Sequence, residues 1–175
     1  MADALPSLTP FPWGDLAIIL ALIALNGVFA MSELAIVSAR RARLDAITRK
    51  SQLKGAQTAI SLASNPGRFL STVQIGITLI GIIAGAYSGA SLSGPVAERL
   101  VLLGLPVAWA DDVGFGLVIG LTTFASLIIG ELVPKQFALR SPEPIAVAMA
   151  LPMIALARVT APLVWLLDRT SALIF

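Results

Sequence analysis

The stretch LAIILALIALNGVFAMSELAIV, Leu16 to Val37, decides the fold, because only Asn26, Ser32 and Glu33 interrupt its apolar run. At a rise of 1.5 Å per residue, about 20 such residues cross a hydrocarbon core of about 30 Å. The stretch therefore predicts a transmembrane helix, with Trp13 where an interfacial aromatic anchor belongs. Ahead of it, Met1 to Trp13 carries three prolines and no Lys or Arg. A cleavable signal peptide opens on a basic region, so this segment reads as an exposed lead-in.

Composition generalises that reading. Hydrophobic residues make up 57% of the 175 positions and charged residues only 13%, with a mean hydropathy of +0.91. Soluble domains carry about 25% charged residues, and so few charges cannot shield this much apolar surface from water. The chain holds no Cys and no His. Disulfides, thiolate or imidazole metal sites and His- or Cys-based catalysis are thereby excluded. No nucleophile–base pair or phosphate-binding loop stands out, so an enzyme is not expected. Any bound metal must be held by oxygen, which favours hard cations.

Outward from the first span, Ser38 to Lys54 places Arg40, Arg41, Arg43, Arg49, Lys50 and Lys54 against Asp45 alone. With Leu44, Ile47, Leu53, Ile60 and Leu62 at roughly helical spacing, it predicts a basic helix along the membrane surface. Asn65-Pro66-Gly67 ends that helix. Phe69 to Leu92 is a second hydrophobic region, with Gly76, Gly81, Gly85 and Gly89 among several Ser and Thr. Its small-xxx-small steps suggest close helix approach and an interrupted helix lining a cavity. Gly104-Leu105-Pro106 divides the segment from Ser93 to Asp112 into short pieces, and Val113 to Val133 is the third hydrophobic stretch. Ala146 to Phe175 is apolar but broken by Pro152, Arg158, Pro162, Asp168 and Arg169. It reads as short interfacial or tilted helices, with a fourth span as the alternative. Ending at Phe175 without a polar tail, the chain reads as one domain of a larger protein.

Lys and Arg after the first and third stretches, and their near absence after the second, predict an outside N-terminus and a cytoplasmic C-terminus. An acid within a span is a functional candidate by default. Glu131 is either a cation ligand or the partner of Lys135, four residues on. Glu33, near Arg40, reads first as a salt bridge anchoring the basic helix. Pro134 removes the backbone donor that Gly130 would bond and crowds its carbonyl, leaving an oxygen beside the Glu131 carboxylate. Gln74 and Thr78 share a helix face and either bond a neighbouring helix or line an ion path.

The Asn26–Ala35 sequence NGVFAMSELA, the Arg40–Leu44 stretch, Ala63-Ser64-Asn65-Pro66, Thr72–Leu79 (TVQIGITL) and Gly130–Lys135 (GELVPK) together resemble the CNNM/CorC family of membrane proteins. The resemblance runs from Asn26 to about Ala138 and more weakly beyond. It implies an all-α membrane domain over residues 1–175: three transmembrane helices, a broken or re-entrant second region, interfacial juxtamembrane helices and a homodimer in the plasma (inner) membrane. It implies cytosolic CBS modules and a C-terminal domain after residue 175, and no nucleic-acid partner. It implies export of Mg²⁺, with Na⁺ the coupling ion in some members. By motif, the cation site would use Ser32, Gln74, Thr78, Gly130 and Glu131. Ile77 stands near a place where relatives carry Asn, and an apolar side chain cannot ligate a cation. Parts of the bacterial branch are linked to polyamines instead, so an organic ammonium cargo is the alternative, with Tyr87 or Phe124 covering it by cation–π contact. A membrane anchor for the cytosolic modules, carrying no solute, is the third reading.

Overall fold

A computed structural model describes residues 8–51 and 53–174, and these residues are helical almost throughout. Residues 1–7 of the expected lead-in lie outside the described residues. Helix α1 (Trp13–Ser38) contains the deciding stretch. Two short helices follow, α2 (Arg41–Ser51) and α3 (Lys54–Ser64). Helix α4 (Pro66–Leu102) starts with proline in its first turn, where the missing N–H costs nothing. Gly104, at φ 98°, makes the turn into α5 (Val107–Leu127). A π-helical turn (Ile128–Leu132) joins α5 to α6 (Val133–Arg140), and α7 (Pro142–Ile174) completes the chain.

Four helical stretches are long and apolar enough to cross a membrane: Trp13–Ser38, Phe69–Leu102, Val107–Arg140 and Pro142–Val159. The breaks at Asn65-Pro66 and Gly104–Pro106 fall where the sequence places them. Three other expectations are corrected. The second hydrophobic region is not broken or re-entrant within the chain, since α4 runs 37 residues without interruption. Its glycines remain helical because each keeps its backbone hydrogen bonds; lacking a side chain lowers propensity by only about 1 kcal/mol. The segment from Ser93 to Asp112 is not a set of short pieces: it is the end of α4, one turn and the start of α5. The last segment is one helix that carries Pro152 and Pro162 in its interior, rather than several short ones.

The core divides into two clusters along α1. The first packs Ile19 and Ile23 against Leu92 of α4 and Val118 of α5, with Tyr87 and Phe11 at its margin. The N-terminal lead-in is tied down at this end. Thr9 donates through N–H and Oγ1 to Glu98 Oε2 (3.0 and 2.6 Å), and Arg99 donates to the Thr9 carbonyl (3.2 Å). The second cluster gathers Phe29, Ala35 and Ile36 of α1 with Leu44, Ala59, Phe69, Val73 and Ala138. Ala146, Ala150 and Met153 of α7 belong to the same cluster. Between the two clusters, α1 presents Asn26 and Gly27.

Helix α7 packs with the second cluster through its first half. Its first turn meets the residues after α1, where Glu143 accepts from the Arg40 N–H (3.4 Å) and lies 3.6 Å from the Arg43 guanidinium. One turn on, a methyl group at Gly55 of α3 would overlap the Val147 carbonyl oxygen. Farther along, Ile154, Ala157, Arg158 and Ala161 share a cleft with Leu62 of α3, Asn65 at the junction, and Phe69 and Thr72 at the beginning of α4.

Candidate functional site

The seam between the two core clusters is built from the C-terminal half of α1 and the π turn. Pro134 cannot donate to Gly130, and its ring would crowd that carbonyl in a regular α-helix. The chain accommodates this by widening: the Val133 N–H reaches back five residues to the Ile128 carbonyl. Such π turns concentrate at functional sites. The Gly130 oxygen, expected to be left free, accepts a hydrogen bond from Asn26 Nδ2 at 3.3 Å. Asn26 is buried, and its Oδ1 has no partner among the described residues.

Two glycines make this approach feasible. A Cβ on Gly27 would stand 2.9 Å from Pro134 Cγ and 3.0 Å from the Ile129 carbonyl oxygen. A Cβ on Gly130 would stand 3.2 Å from the Ile23 oxygen and 3.3 Å from Asn26 Nδ2. Each glycine therefore lets one backbone press on the other, and the NG of α1 and the GELVP of the π turn form one unit. Asn26 is a residue whose role the sequence reading missed. Its signal was available, a lone amide mid-span one residue before a glycine, but its partner lies 104 positions away.

Of the five expected site residues, Ser32 lies on α1 and Gly130 and Glu131 lie in the π turn that packs against it. Ser32 is fully buried, and its hydroxyl donates to the Val28 carbonyl (2.6 Å), leaving its oxygen lone pairs uncommitted. Glu131 Oε1 accepts from Lys135 Nζ at 2.7 Å, with the two side chains 39% and 33% exposed. Where water reaches it, an i,i+4 pair of this kind is worth about 0.3–0.5 kcal/mol. In this chain the lysine covers the acid.

Gln74 and Thr78 do not join them within the chain. Gly76, between these two, faces α1, with its Cα side against the Phe29 ring. Each helical residue turns about 100°, so positions 74 and 78 point nearly opposite to Gly76, and both are exposed. Ile77 packs against the second core cluster. The aromatic cover is also misplaced. Tyr87 donates to Asp15 at the start of α1 (2.7 Å), at the other end from Glu131, and Phe124 is exposed.

Glu33 departs most from expectation. The carboxylate that anchors this stretch is Glu143, 95% buried, which accepts from the Arg40 backbone N–H and pairs with the Arg43 guanidinium; Glu33 does neither. Pro142 at the start of α7 brings Glu143 into the first turn, where the helix dipole also favours a negative charge. Glu33 instead lines a cavity of about 280 Å³ with Leu34, Val37, Leu70 and Lys135. Among the described residues no group of three or more acids converges as a metal cage would require.

Four long apolar helices and a polar seam at their packing level define a multi-pass helical membrane protein. The sequence profile of the Cyclin M transmembrane N-terminal domain matches residues 17–175, and the chain belongs to this family, CNNM/CorC. UPF0053 protein sll0260 of Synechocystis is 47% identical over 157 residues, covering 90% of this chain and 35% of that protein. UPF0053 protein YhdT of Bacillus subtilis is 34% identical, over 91% of this chain and 34% of its own length. The polyamine export protein of Escherichia coli K12 is 29% identical, over 92% of this chain and 36% of its own length. The chain thus spans about a third of the curated relatives it matches.

Proposed function

We propose that this is the membrane domain of a cation exporter whose cargo is an organic polyammonium ion received at Glu131. The observation that carries the reading is the Lys135–Glu131 contact: a half-exposed carboxylate already holds a primary ammonium at 2.7 Å. A cargo ammonium has the same charge, donors and geometry as the lysine head, and so can replace it at little cost. That relatives at 29% identity are named polyamine export proteins supports the same cargo class.

Mg²⁺ is the second reading, favoured by two oxygens in the seam: the Ser32 hydroxyl, which spends its proton on Val28, and the Gly130 carbonyl. Mg²⁺ takes near-octahedral oxygen ligands and keeps several waters, so a hydroxyl, a carbonyl and one carboxylate suit a hydrated ion. Na⁺ coupling and pairing with a second copy, which would bring further groups to the exposed Gln74–Thr78 face, belong to this proposal too. So do cytosolic CBS modules in the remaining two thirds of a chain as long as its relatives.

For topology we propose three spans, namely α1, α4 and the α5–π–α6 unit, with α2, α3 and α7 forming a belt at the cytoplasmic surface. The support is that, from Glu143 to Ala161, α7 meets α2, α3, the start of α4 and the second core cluster on α1. The N-terminus is then outside and the basic α2 inside.

The experiment is flux in proteoliposomes, with a four-carbon diamine and Mg²⁺ in parallel, for the wild type and Glu131→Gln. Diamine flux that Glu131→Gln abolishes is the expected result. Mg²⁺ flux alone would move the assignment to the second reading. Flux of neither ion would leave a membrane anchor.

A further inference from the structure

We infer that Glu33 is the second carboxylate of the cargo site and sets a preference for cations with two ammonium groups over those with one. The inference rests on the proposed cation-export reading and deepens it.

Three observations lead there. The Arg40 backbone N–H and the Arg43 guanidinium both go to Glu143, so Glu33 is not the carboxylate that anchors the basic stretch. Glu33 itself has no hydrogen-bond or ion-pair partner among the described residues, although it sits within a span-length helix. Its cavity, about 280 Å³, is lined by one acid, three aliphatic side chains (Leu34, Val37 and Leu70) and Lys135. Lys135 is the residue whose ammonium rests on Glu131.

The chemistry of that lining matches an α,ω-diamine. Such a molecule is an ammonium, a short methylene chain and a second ammonium. The cavity offers a carboxylate for one end and aliphatic walls for the methylenes. The Lys135 ammonium rests on a second carboxylate, Glu131, for the other end. A monoamine of equal length satisfies only one acid. Two ammonium groups on one tether also bind with the advantage of linked sites. Lys135 then acts as the internal occupant of Glu131 that the cargo's leading ammonium displaces. A single inorganic ion would make no use of the aliphatic walls.

The test is isothermal titration of the purified protein in lipid nanodiscs with 1,4-diaminobutane and with 1-aminobutane. The wild type is expected to prefer the diamine by roughly tenfold or more, the range of one charge-assisted hydrogen bond. Glu33→Gln should reduce diamine affinity to the level of the monoamine while leaving monoamine binding unchanged. Glu33→Asp, which keeps the charge, should retain most of the preference and serves as the folding control. Equal affinities in the wild type, or a Glu33→Gln protein that keeps its preference, would overturn the role of Glu33 and leave the export reading standing. If the wild type bound neither amine, both would fall.

Discussion

At position 131 a carboxylate meets the ammonium of Lys135, and the balance of that contact governs the site. Where water reaches it, as the proposed cargo path requires, such a pair is weak, so removing the lysine should unmask the acid rather than unfold the protein. Lys135→Met is therefore expected to tighten diamine binding by about twofold, the factor that corresponds to about 0.3–0.5 kcal/mol, measurable by the same titration. A large loss of affinity would instead make Lys135 part of the receptor. Asn26 is the second decisive residue. Its amide fastens α1 to the π turn through Gly130, in a buried seam where an unpaired carbonyl is costly. Asn26→Leu should lower stability by about 1–3 kcal/mol, the cost of leaving that carbonyl unsatisfied. It would be read as a lowered thermal midpoint in detergent. An unchanged midpoint would mean the carbonyl finds another donor. That an amide mid-span matters was legible in the sequence; that it serves residue 130 was not.

At the scale of elements, glycines divide into those that carry packing and those that do not. Gly27, Gly55 and Gly114 each have a neighbouring helix where a side chain would begin, whereas Gly81 and Gly85 face open space within the chain. The small-xxx-small spacing picked out Gly81, Gly85 and Gly89, of which, among the described residues, only Gly89 meets a neighbour, Phe115 and Ile119 of α5, because spacing reports which residues share a face and not what lies opposite. Gly27→Val should destabilise by about 1–3 kcal/mol through overpacking against Pro134 and the Ile129 carbonyl. Gly81→Ala should leave a monomeric fold unaffected. Thermal unfolding of both variants checks the contrast, and equal effects would refute it. The link between α7 and α2 rests on one contact at the first turn of α7. Glu143→Ala removes the acceptor for Arg40 and the partner of Arg43, and should release α7 from α2. Faster proteolysis near residues 140–142 in the variant, with the transmembrane helices still protected, is the expected readout.

At the scale of the whole molecule, the open matter is which long helices cross the bilayer. Length and composition admit four. The three-span proposal rests on the contacts of α7, from Glu143 at the Arg40 N–H to Ala161 in the cleft it shares with Phe69. The absence of native cysteine makes the test clean: single cysteines at Leu8, Ser141 and Thr170 are probed with a membrane-impermeant thiol reagent on intact cells. With three spans, Leu8→Cys alone is labelled from outside. Labelling of Thr170→Cys as well would establish a fourth crossing.

Read by itself, the sequence determined the solvent and the elements. A run of 22 nearly uninterrupted apolar residues needs lipid, Arg and Lys mark one side of it, and prolines at 66 and 134 mark a helix start and a weakened helix. These are local properties, set by burial cost and backbone chemistry within a few turns. Tertiary structure alone decided the partnerships. It gave Glu143 rather than Glu33 to the arginines, Asn26 to the Gly130 carbonyl, and an outward face to Gln74 and Thr78. Each of those depends on how two helices far apart in the chain are rotated against one another, and rotation is chosen by the packing of glycine against proline and aromatic rings, which no periodicity along one strand of sequence encodes.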